Sequence, residues 1–154
     1  MDKGIEIAEN KVLKLKNVLS KEFITGETAE TQKSMHMFET YIRSKGLEPY
    51  GPMIIRSSVT FENGRPRERK EMMVQLRNAP DKVEPPYAFT ESLRVEKCLL
   101  ARYRGDAFNL PMAHGKIQVY AFEKEIDLAG ETYTIVVEQN EKGILADVFA
   151  VMES

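Results

Sequence analysis

The spacing of hydrophobic positions in the first half of the chain predicts a strand followed by a helix. The strand is expected over about residues 12–24, although five apolar residues in and before this stretch also fit a helix: Ile5, Ala8, Val12, Leu15 and Leu19. The helix follows from an apolar stripe at i, i+3, i+6 and i+7, formed by Met35, Phe38, Tyr41 and Ile42. Lys45-Gly46 is a normal C-terminal stop for such a helix.

Two more strands complete this half. Met53-Ile54-Ile55 leads into a β-prone stretch that ends at Phe61, and the next strand is expected over residues 71–76. Between them, Glu62-Asn63-Gly64 predicts a hairpin turn, because Asn and Gly tolerate the left-handed dihedrals of such turns.

The second half shows the same order of elements. A strand over residues 93–103 is broken by Gly105, and a helix is expected to open at Pro111, with Asn109 as its N-cap. One face of this helix carries Ile117, Tyr120, Ala121 and Lys124. Strands over 133–138 and 144–152 follow, joined by a turn at 140–143.

A shift of the chain by 79 positions brings several of these features together. The aligned pairs are Gly26 with Gly105, Tyr41 with Tyr120, Lys45 with Lys124, Gly51 with Gly130 and Gly64 with Gly143. We therefore predict an α+β fold of two tandem β-α-β-β repeats, related by a pseudo-twofold axis, with an antiparallel sheet and a cleft between the halves. Repeat 1 covers about residues 8–77, a proline-rich connector 78–88 and repeat 2 about 89–154, within one domain over 1–154.

Composition narrows the functional class. The 154 residues include 22 Lys and Arg against 24 Asp and Glu, so the chain lacks the basic excess of a general nucleic-acid binder. The single cysteine, Cys98, excludes an intramolecular disulfide and suits a reducing compartment. No signal segment is visible, and no apolar run approaches the roughly 20 residues that a membrane span needs. A cytoplasmic protein without a nucleic-acid or membrane partner is expected.

Several short motifs of the second half are distinctive as a set. They are an apolar strand leading to Arg102-Tyr103-Arg104-Gly105, the helix with Tyr120, the segment Leu128-Ala129-Gly130-Glu131-Thr132-Tyr133 and a closing hairpin. The first half fits the same template more loosely through Tyr41, Gly46 and Tyr50-Gly51-Pro52. In these features the chain resembles the gyrase-inhibitor-like (GyrI-like) effector-binding superfamily, which includes the drug-sensing domains of bacterial transcription activators.

The resemblance implies a tandem β-α-β-β fold that binds small, often cationic and aromatic molecules between its halves. Because the chain has no room for a helix-turn-helix module, we expect a stand-alone bacterial member. Some stand-alone relatives are encoded near secreted-toxin loci, and a few relatives are hydrolases.

One strand departs from the pattern of the relatives. Cation-binding relatives place a carboxylate among aromatic residues on a central strand of the second half, which here reads Tyr133-Thr134-Ile135-Val136-Val137-Glu138. Glu138 is its first acidic residue and is expected on the face of Thr134 and Val136. The tryptophan that hydrolase relatives use is missing, because the chain has none. Both departures count against drug binding and hydrolysis.

Six residues are the candidates for the ligand cleft: Tyr50, Met53, Arg56, Tyr103, Tyr133 and Glu138. Tyrosine offers a π face to planar or cationic ligands, and methionine lines adaptable pockets. Arg56, on the face of Ile54 and Ser58, would meet an anion or pair with Glu138. The alternative is that these residues pack within the sheet and that Arg56 faces solvent. We interpret the basic cluster Arg65-Pro66-Arg67-Glu68-Arg69-Lys70 as a solvated hairpin tip.

No catalytic residue, metal or cofactor is predicted. His36 and His114 lack zinc-motif spacing, Cys98 has no partner in sequence, and nucleophile-elbow and phosphate-loop motifs are missing. The leading hypothesis is a non-enzymatic module that binds a small apolar or aromatic molecule. The alternatives are a protein-interaction or adaptor role, including a homodimer, and a hydrolase with Glu138 as general base.

Overall fold

The computed structural model describes residues 5–23 and 28–153 and has an α+β architecture with antiparallel strands, as predicted. Its elements are β1 (Ile5–Phe23), α1 (Thr28–Ser44), β2 (Pro49–Glu62), β3 (Arg65–Leu76), β4 (Tyr87–Gly105), a 3-10 turn (Ala107–Asn109), α2 (Pro111–Glu123), β5 (Leu128–Asn140) and β6 (Gly143–Met152). The order β-α-β-β thus occurs twice along the chain. The predicted break at Gly26 and the predicted strand end at Ile24 lie outside the described residues.

The ambiguous first segment is a strand and not a helix. Asn10 and Asn17 within β1 have positive φ angles of 56° and 49°. Such residues interrupt the two-residue alternation of a strand. The hydrophobic spacing of β1 therefore fits a helix as well, even though the segment is extended.

One local prediction was wrong and another was right in part. The basic cluster that begins at Arg65 is exposed as predicted, apart from the half-buried Lys70, but it belongs to β3 and pairs with β2, and the Asn63-Gly64 turn alone forms the hairpin tip. Asn109 does not cap α2, since it lies in the 3-10 turn and Leu110 is the residue that precedes the helix. The strand β4 also begins earlier than expected, at Tyr87.

The described residues divide into two compact units. Unit 2 comprises those within 14–93, and unit 1 those within 1–13 and 94–154. In unit 2, β3 lies between β1 and β2, with Leu19 opposite Val74 and Ile54 opposite Met73. Helix α1 packs on one face of this sheet, where Phe38 is fully buried. Burial of such a side chain contributes roughly 1.5–3 kcal/mol.

In unit 1, β6 lies between β4 and β5. Helix α2 covers one face of this sheet through Ala113, Ile117 and Ala121. The facing strands contribute further alanines, at positions 101, 146 and 150. Small side chains on both surfaces let the helix backbone approach the sheet closely.

Local geometry recurs at the spacing of 79 residues. Both helices are followed by a residue of positive φ, Gly46 at 68° and Glu125 at 57°. Gly51 at 86° and Gly130 at 81° both lie in register shifts, of β2 and β5 respectively. A gene duplication would produce such matches. The duplication itself, the repeat boundaries and the cleft between the halves stay predictions.

Candidate functional site

Three of the predicted site residues lie on β2 in unit 2. Tyr50 is exposed, and the Arg77 guanidinium carbon lies 5.1 Å from the centre of its ring. Met53 is half-buried and packs against the core beneath α1. Arg56 lies opposite Glu71 on β3 and forms a salt bridge with it. An acidic partner within the same hairpin therefore already holds this guanidinium.

The other three lie in unit 1, and they do not share one face. Tyr103 is buried in the core beneath α2, and its hydroxyl donates to the Asp106 carbonyl oxygen at 2.6 Å. Tyr133 pairs with Phe149, which faces away from α2. The β4-β6-β5 sheet thus separates the two tyrosines, because Tyr103 pairs with Ala146 on the helix side.

The two-residue spacing predicted that Glu138 lies on the face of Thr134 and Val136. This prediction was wrong, because Glu138 lies on the opposite face. Val136 pairs with Ala146, and Glu138 pairs with the next residue, Leu145. Two residues of β5 therefore advance against one residue of β6, which defines a β-bulge with Val137 as the extra residue. The bulge turns Glu138 to the opposite face of the sheet.

The face of the unit 1 sheet opposite α2 is here called the distal face. It carries Tyr133, Asp147 and Glu138. Three rows of cross-strand neighbours form it: Leu100, Phe149 and Tyr133; then Arg102, Asp147 and Ile135; then Arg104, Leu145 and Glu138. The first row contains two buried aromatic residues, and the third has an exposed residue at each side. Aromatic surface, a charge pair and a solvated end therefore follow one another along the strands.

The middle row contains a buried carboxylate with a bidentate partner. The Arg102 Nε donates to Asp147 Oδ1 at 2.8 Å, and its Nη2 donates to Oδ2 at 3.0 Å. The Asp147 side chain is 12% exposed, whereas that of Arg102 is 48% exposed. The hydrogen bonds to Asp147, followed by its negative charge, raise the pKa of Arg102. Arg102 thus remains charged while about half of its side chain is exposed.

The row that contains Glu138 opens into a small groove. The groove has a volume of about 170 Å³, and its polar lining side chains are Arg104, Glu138, Asn140 and Lys142. Gly105 and Gly143 also line the groove, and a Cβ on Gly143 would lie 2.4 Å from the Gly105 carbonyl oxygen. The groove is smaller than the 300–1,000 Å³ typical of sites for drug-sized ligands.

A second carboxylate lies near the aromatic row. The Tyr133 hydroxyl donates to Glu131 Oε1 at 2.7 Å. Burial, followed by the charge of Glu131, raises the pKa of the Cys98 thiol. Cys98 is therefore protonated at neutral pH and is a poor nucleophile.

Sequence reasoning missed Asp147 and Arg102. A signal was present, because Asp147 is the only charged residue in the apolar segment Gly143–Met152. Its partner is 45 residues away in sequence, and only the register of β4 against β6 brings the two together.

Within residues 5–23 and 28–153, no cluster of three or more His, Cys, Asp or Glu side chains is suited to hold a metal ion. No helix in these ranges is long and apolar enough to cross a membrane.

Comparison with known proteins gives matches in structure alone. The sequence matches no protein-family model and no curated protein. The EcmrR C-terminal domain is similar in structure, with a TM-score of 0.72 and 14% identity over 97% of this chain and 98% of that domain. EcmrR in a complex with DNA gives a TM-score of 0.70 and 12% identity over 97% of this chain and 58% of that one.

A third similar structure is SAV2435 bound to tetraphenylphosphonium. Its TM-score is 0.51 at 6% identity, over 96% of this chain and 95% of that one. At these identities the likeness concerns the fold. The chain therefore shares its α+β fold with the EcmrR C-terminal domain and with SAV2435.

Proposed function

We propose that this chain is a GyrI-like, non-enzymatic binding module for a small aromatic organic cation, and that the ligand binds on the distal face of unit 1. The observation that carries the proposal is a buried carboxylate, Asp147, in the row next to two buried aromatic residues, Tyr133 and Phe149. Asp147 lies two residues before Phe149, the partner of Tyr133, and is therefore a diagonal neighbour of Tyr133. The Cα atoms of such neighbours are roughly 7–8 Å apart.

The aromatic row supplies the contact surface. Tyr133 and Phe149 lie directly opposite each other on β5 and β6. Each ring attracts a cation above its face by about 0.5–2 kcal/mol, and the higher value applies when water is excluded. A planar or propeller-shaped aromatic cation fits this chemistry better than a sugar or a nucleotide.

In the absence of ligand, the Arg102 guanidinium acts as an internal cation that pairs with the Asp147 carboxylate. Its side chain is half exposed, so it can leave for solvent at little cost in hydration, whereas Asp147 is held in the sheet. The ligand would replace the guanidinium at Asp147 and keep the buried charge neutralised. Exchange of one cation for another avoids an unpaired buried carboxylate, which is expensive.

Two lines of reasoning support this proposal independently of the side-chain geometry. The sequence motifs resemble those of GyrI-like domains, which bind cationic aromatic molecules. SAV2435, which shares the fold, is bound to tetraphenylphosphonium. Glu138 on the same face remains a candidate for a further ligand contact, and the roles expected for Tyr50, Met53 and Arg56 in unit 2 stay predictions.

We propose no catalytic role for Glu138. Its side chain is exposed, and general bases are usually placed in sites that exclude water. A carboxylate at the edge of an open groove serves better to attract a cation toward the distal face.

Titration with tetraphenylphosphonium, followed by calorimetry, tests the proposal. Asp147→Asn should weaken binding at least about tenfold, and Arg102→Gln should strengthen it, because the competing internal cation is removed. Tetraphenylborate has the same shape and the opposite charge, so it should bind the wild type more weakly than tetraphenylphosphonium does.

Glu39→Gln, which changes an exposed carboxylate of α1 in unit 2, is the matched control and should bind like the wild type. The proposal is wrong if Asp147→Asn binds as tightly as the wild type, or if the phosphonium and the borate bind equally. Thermal unfolding of each variant establishes that a loss of binding is not a loss of fold.

A further inference from the structure

Helix α2 has a second apolar face that its own unit does not bury. Met112, Val119 and Phe122 are 53%, 56% and 86% exposed, and Phe108 in the preceding 3-10 turn is 90% exposed. Together with Gly115 these residues form what we call the α2 seam. Within the helix they recur at i, i+3, i+7 and i+10, which places them on one side. The opposite side carries Ala113, Ile117 and Ala121, which pack on the sheet.

The fold does not require this apolar surface. The positions of α1 that lie 79 residues before Met112, Gly115, Val119 and Phe122 are Lys33, His36, Thr40 and Arg43, and all four are exposed. One helix therefore presents polar residues to solvent where the other presents Met, Gly, Val and Phe. Contiguous exposed apolar surface of this kind marks interaction sites in soluble proteins.

Gly115 indicates what type of element covers the seam. It lies within α2 without a positive φ, and a Cβ at this position would meet no atom within 4 Å. Neither the backbone nor packing against the described residues explains a residue that weakens a helix. A glycine in the middle of an exposed apolar seam lets the backbone of another helix approach closely.

The arrangement of the seam selects the partner. Phe108 and Phe122 each lie seven residues from Gly115, and Met112 and Val119 lie three and four residues from it on either side. Two such seams crossed antiparallel at Gly115 bring Phe122 onto the second copy's Phe108 and Val119 onto the second copy's Met112. This is the self-complementarity that a twofold interface requires.

We propose that the α2 seam is the interface of a homodimer, with a second copy of this chain packed antiparallel across Gly115. Aromatic side chains offer 150–250 Å² each, so the seam exposes on the order of 500 Å². Two facing seams then bury about 1,000 Å², which is the lower bound for a specific protein interface. The interface is independent of the ligand-binding proposal.

Sedimentation equilibrium over concentrations from about 1 µM to about 1 mM tests the dimer. The wild type should dimerise, and the double variant Val119→Thr/Phe122→Arg, which carries the residues of the equivalent α1 positions, should remain monomeric. Met37→Arg, which replaces a half-exposed methionine of α1, is the matched control and should dimerise like the wild type. A monomeric wild type, or a double variant that dimerises fully, overturns the proposal.

Gly115→Ala separates the interface from the stability of the chain. Alanine is a better helix former, so the melting temperature of the monomeric protein should rise, while dimerisation should weaken because two methyl groups meet at the crossing point. If the variant dimerises as tightly as the wild type, the helices do not cross at Gly115.

Cysteine cross-linking tests the antiparallel geometry. Gly115→Cys lies on the twofold axis; its side chain weakens association as that of Gly115→Ala does, but at high protein concentration it should still form a covalent dimer on mild oxidation. Phe122→Cys should not, because its two copies would lie about 21 Å apart at a rise of 1.5 Å per residue. The native Cys98 is buried and so does not compete in the oxidation. Efficient cross-linking through Phe122→Cys would indicate a parallel arrangement and contradict the proposal.

Discussion

Arg102 and Asp147 lie directly opposite each other on β4 and β6 and share two hydrogen bonds. The bidentate geometry orients both side chains and joins the two strands in the middle of the distal face. It also neutralises a carboxylate that the sheet otherwise buries among apolar residues.

A double-mutant cycle should detect this pair. Asp147→Asn should lower the free energy of unfolding by about 1 kcal/mol, because the arginine is half exposed and the interaction is partly screened. Arg102→Gln should lower it by about 2–3 kcal/mol, because it leaves the buried carboxylate without its charged partner. The double variant should cost less than the two single changes together. Urea unfolding measures all four proteins, and strictly additive losses would show that the two side chains act independently.

Glu84 should make the stability of unit 2 depend on pH. Hydrogen bonds from Lys45 and Tyr41 lower the pKa of its carboxyl from 4.5 to about 2. A carboxyl whose pKa falls on folding stabilises the folded state above its ordinary pKa, and this contribution is lost as the pH falls toward the lowered value. The melting temperature of Glu84→Gln should therefore lie below that of the wild type at neutral pH, and the difference should close between about pH 4.5 and pH 2. The control Glu39→Gln should follow the wild type, and a gap that is as large at pH 2 as at neutral pH would contradict the prediction.

Gly143 should tolerate substitution less well than Gly64, although both have positive φ. A Cβ on Gly143 would lie 2.4 Å from the Gly105 carbonyl oxygen, whereas a Cβ on Gly64 would meet nothing within 4 Å. Gly143→Ala adds a backbone collision to the dihedral strain and should cost about 2–4 kcal/mol, against about 1 kcal/mol for Gly64→Ala. Equal losses in the free energy of unfolding, measured with urea for the two variants, would show that β4 and β6 move apart at Gly105 and Gly143 at little cost.

Tyr87 anchors the start of β4 to α1 by stacking on Tyr41. The ring centroids are 3.7 Å apart, and the planes are inclined by 9°. Tyr87→Leu retains apolar bulk and removes the stacking, so we expect a loss of about 1 kcal/mol in the free energy of unfolding. Tyr41→Phe preserves the stacking and removes only the hydrogen bond to Glu84, so it should cost less. The opposite ranking would show that the hydroxyl matters more than the ring.

Pattern reasoning predicted the elements because their signals are local. The apolar stripe of Phe38 and Ile42 faces the core, and Asn63-Gly64 forms the expected tight turn, with φ angles of 53° and 76°. Each of these features depends on residues that are close in sequence, so composition and spacing suffice to identify it.

The site depends on features that spacing does not contain. The direction of Glu138 follows from one extra residue in β5, which no hydrophobic pattern marks. Tyr103 and Tyr133 look equivalent in sequence, yet strand register places one beneath α2 and the other on the distal face. The pairing of Arg102 with Asp147 spans 45 positions and becomes visible only when β4 and β6 are in register.

The bulge at Val137 has a consequence for how proteins of this fold diverge. A β5 shorter by this residue would keep Val136 and Glu138 on the faces they occupy now, because the ladder already advances as though Val137 were absent. Chain length at this point is therefore free to change by one residue while the groove keeps its carboxylate. Alignment by position beyond the bulge compares side chains that point in opposite directions, so homologous function on this strand must be traced through hydrogen-bond partners and not through column numbers.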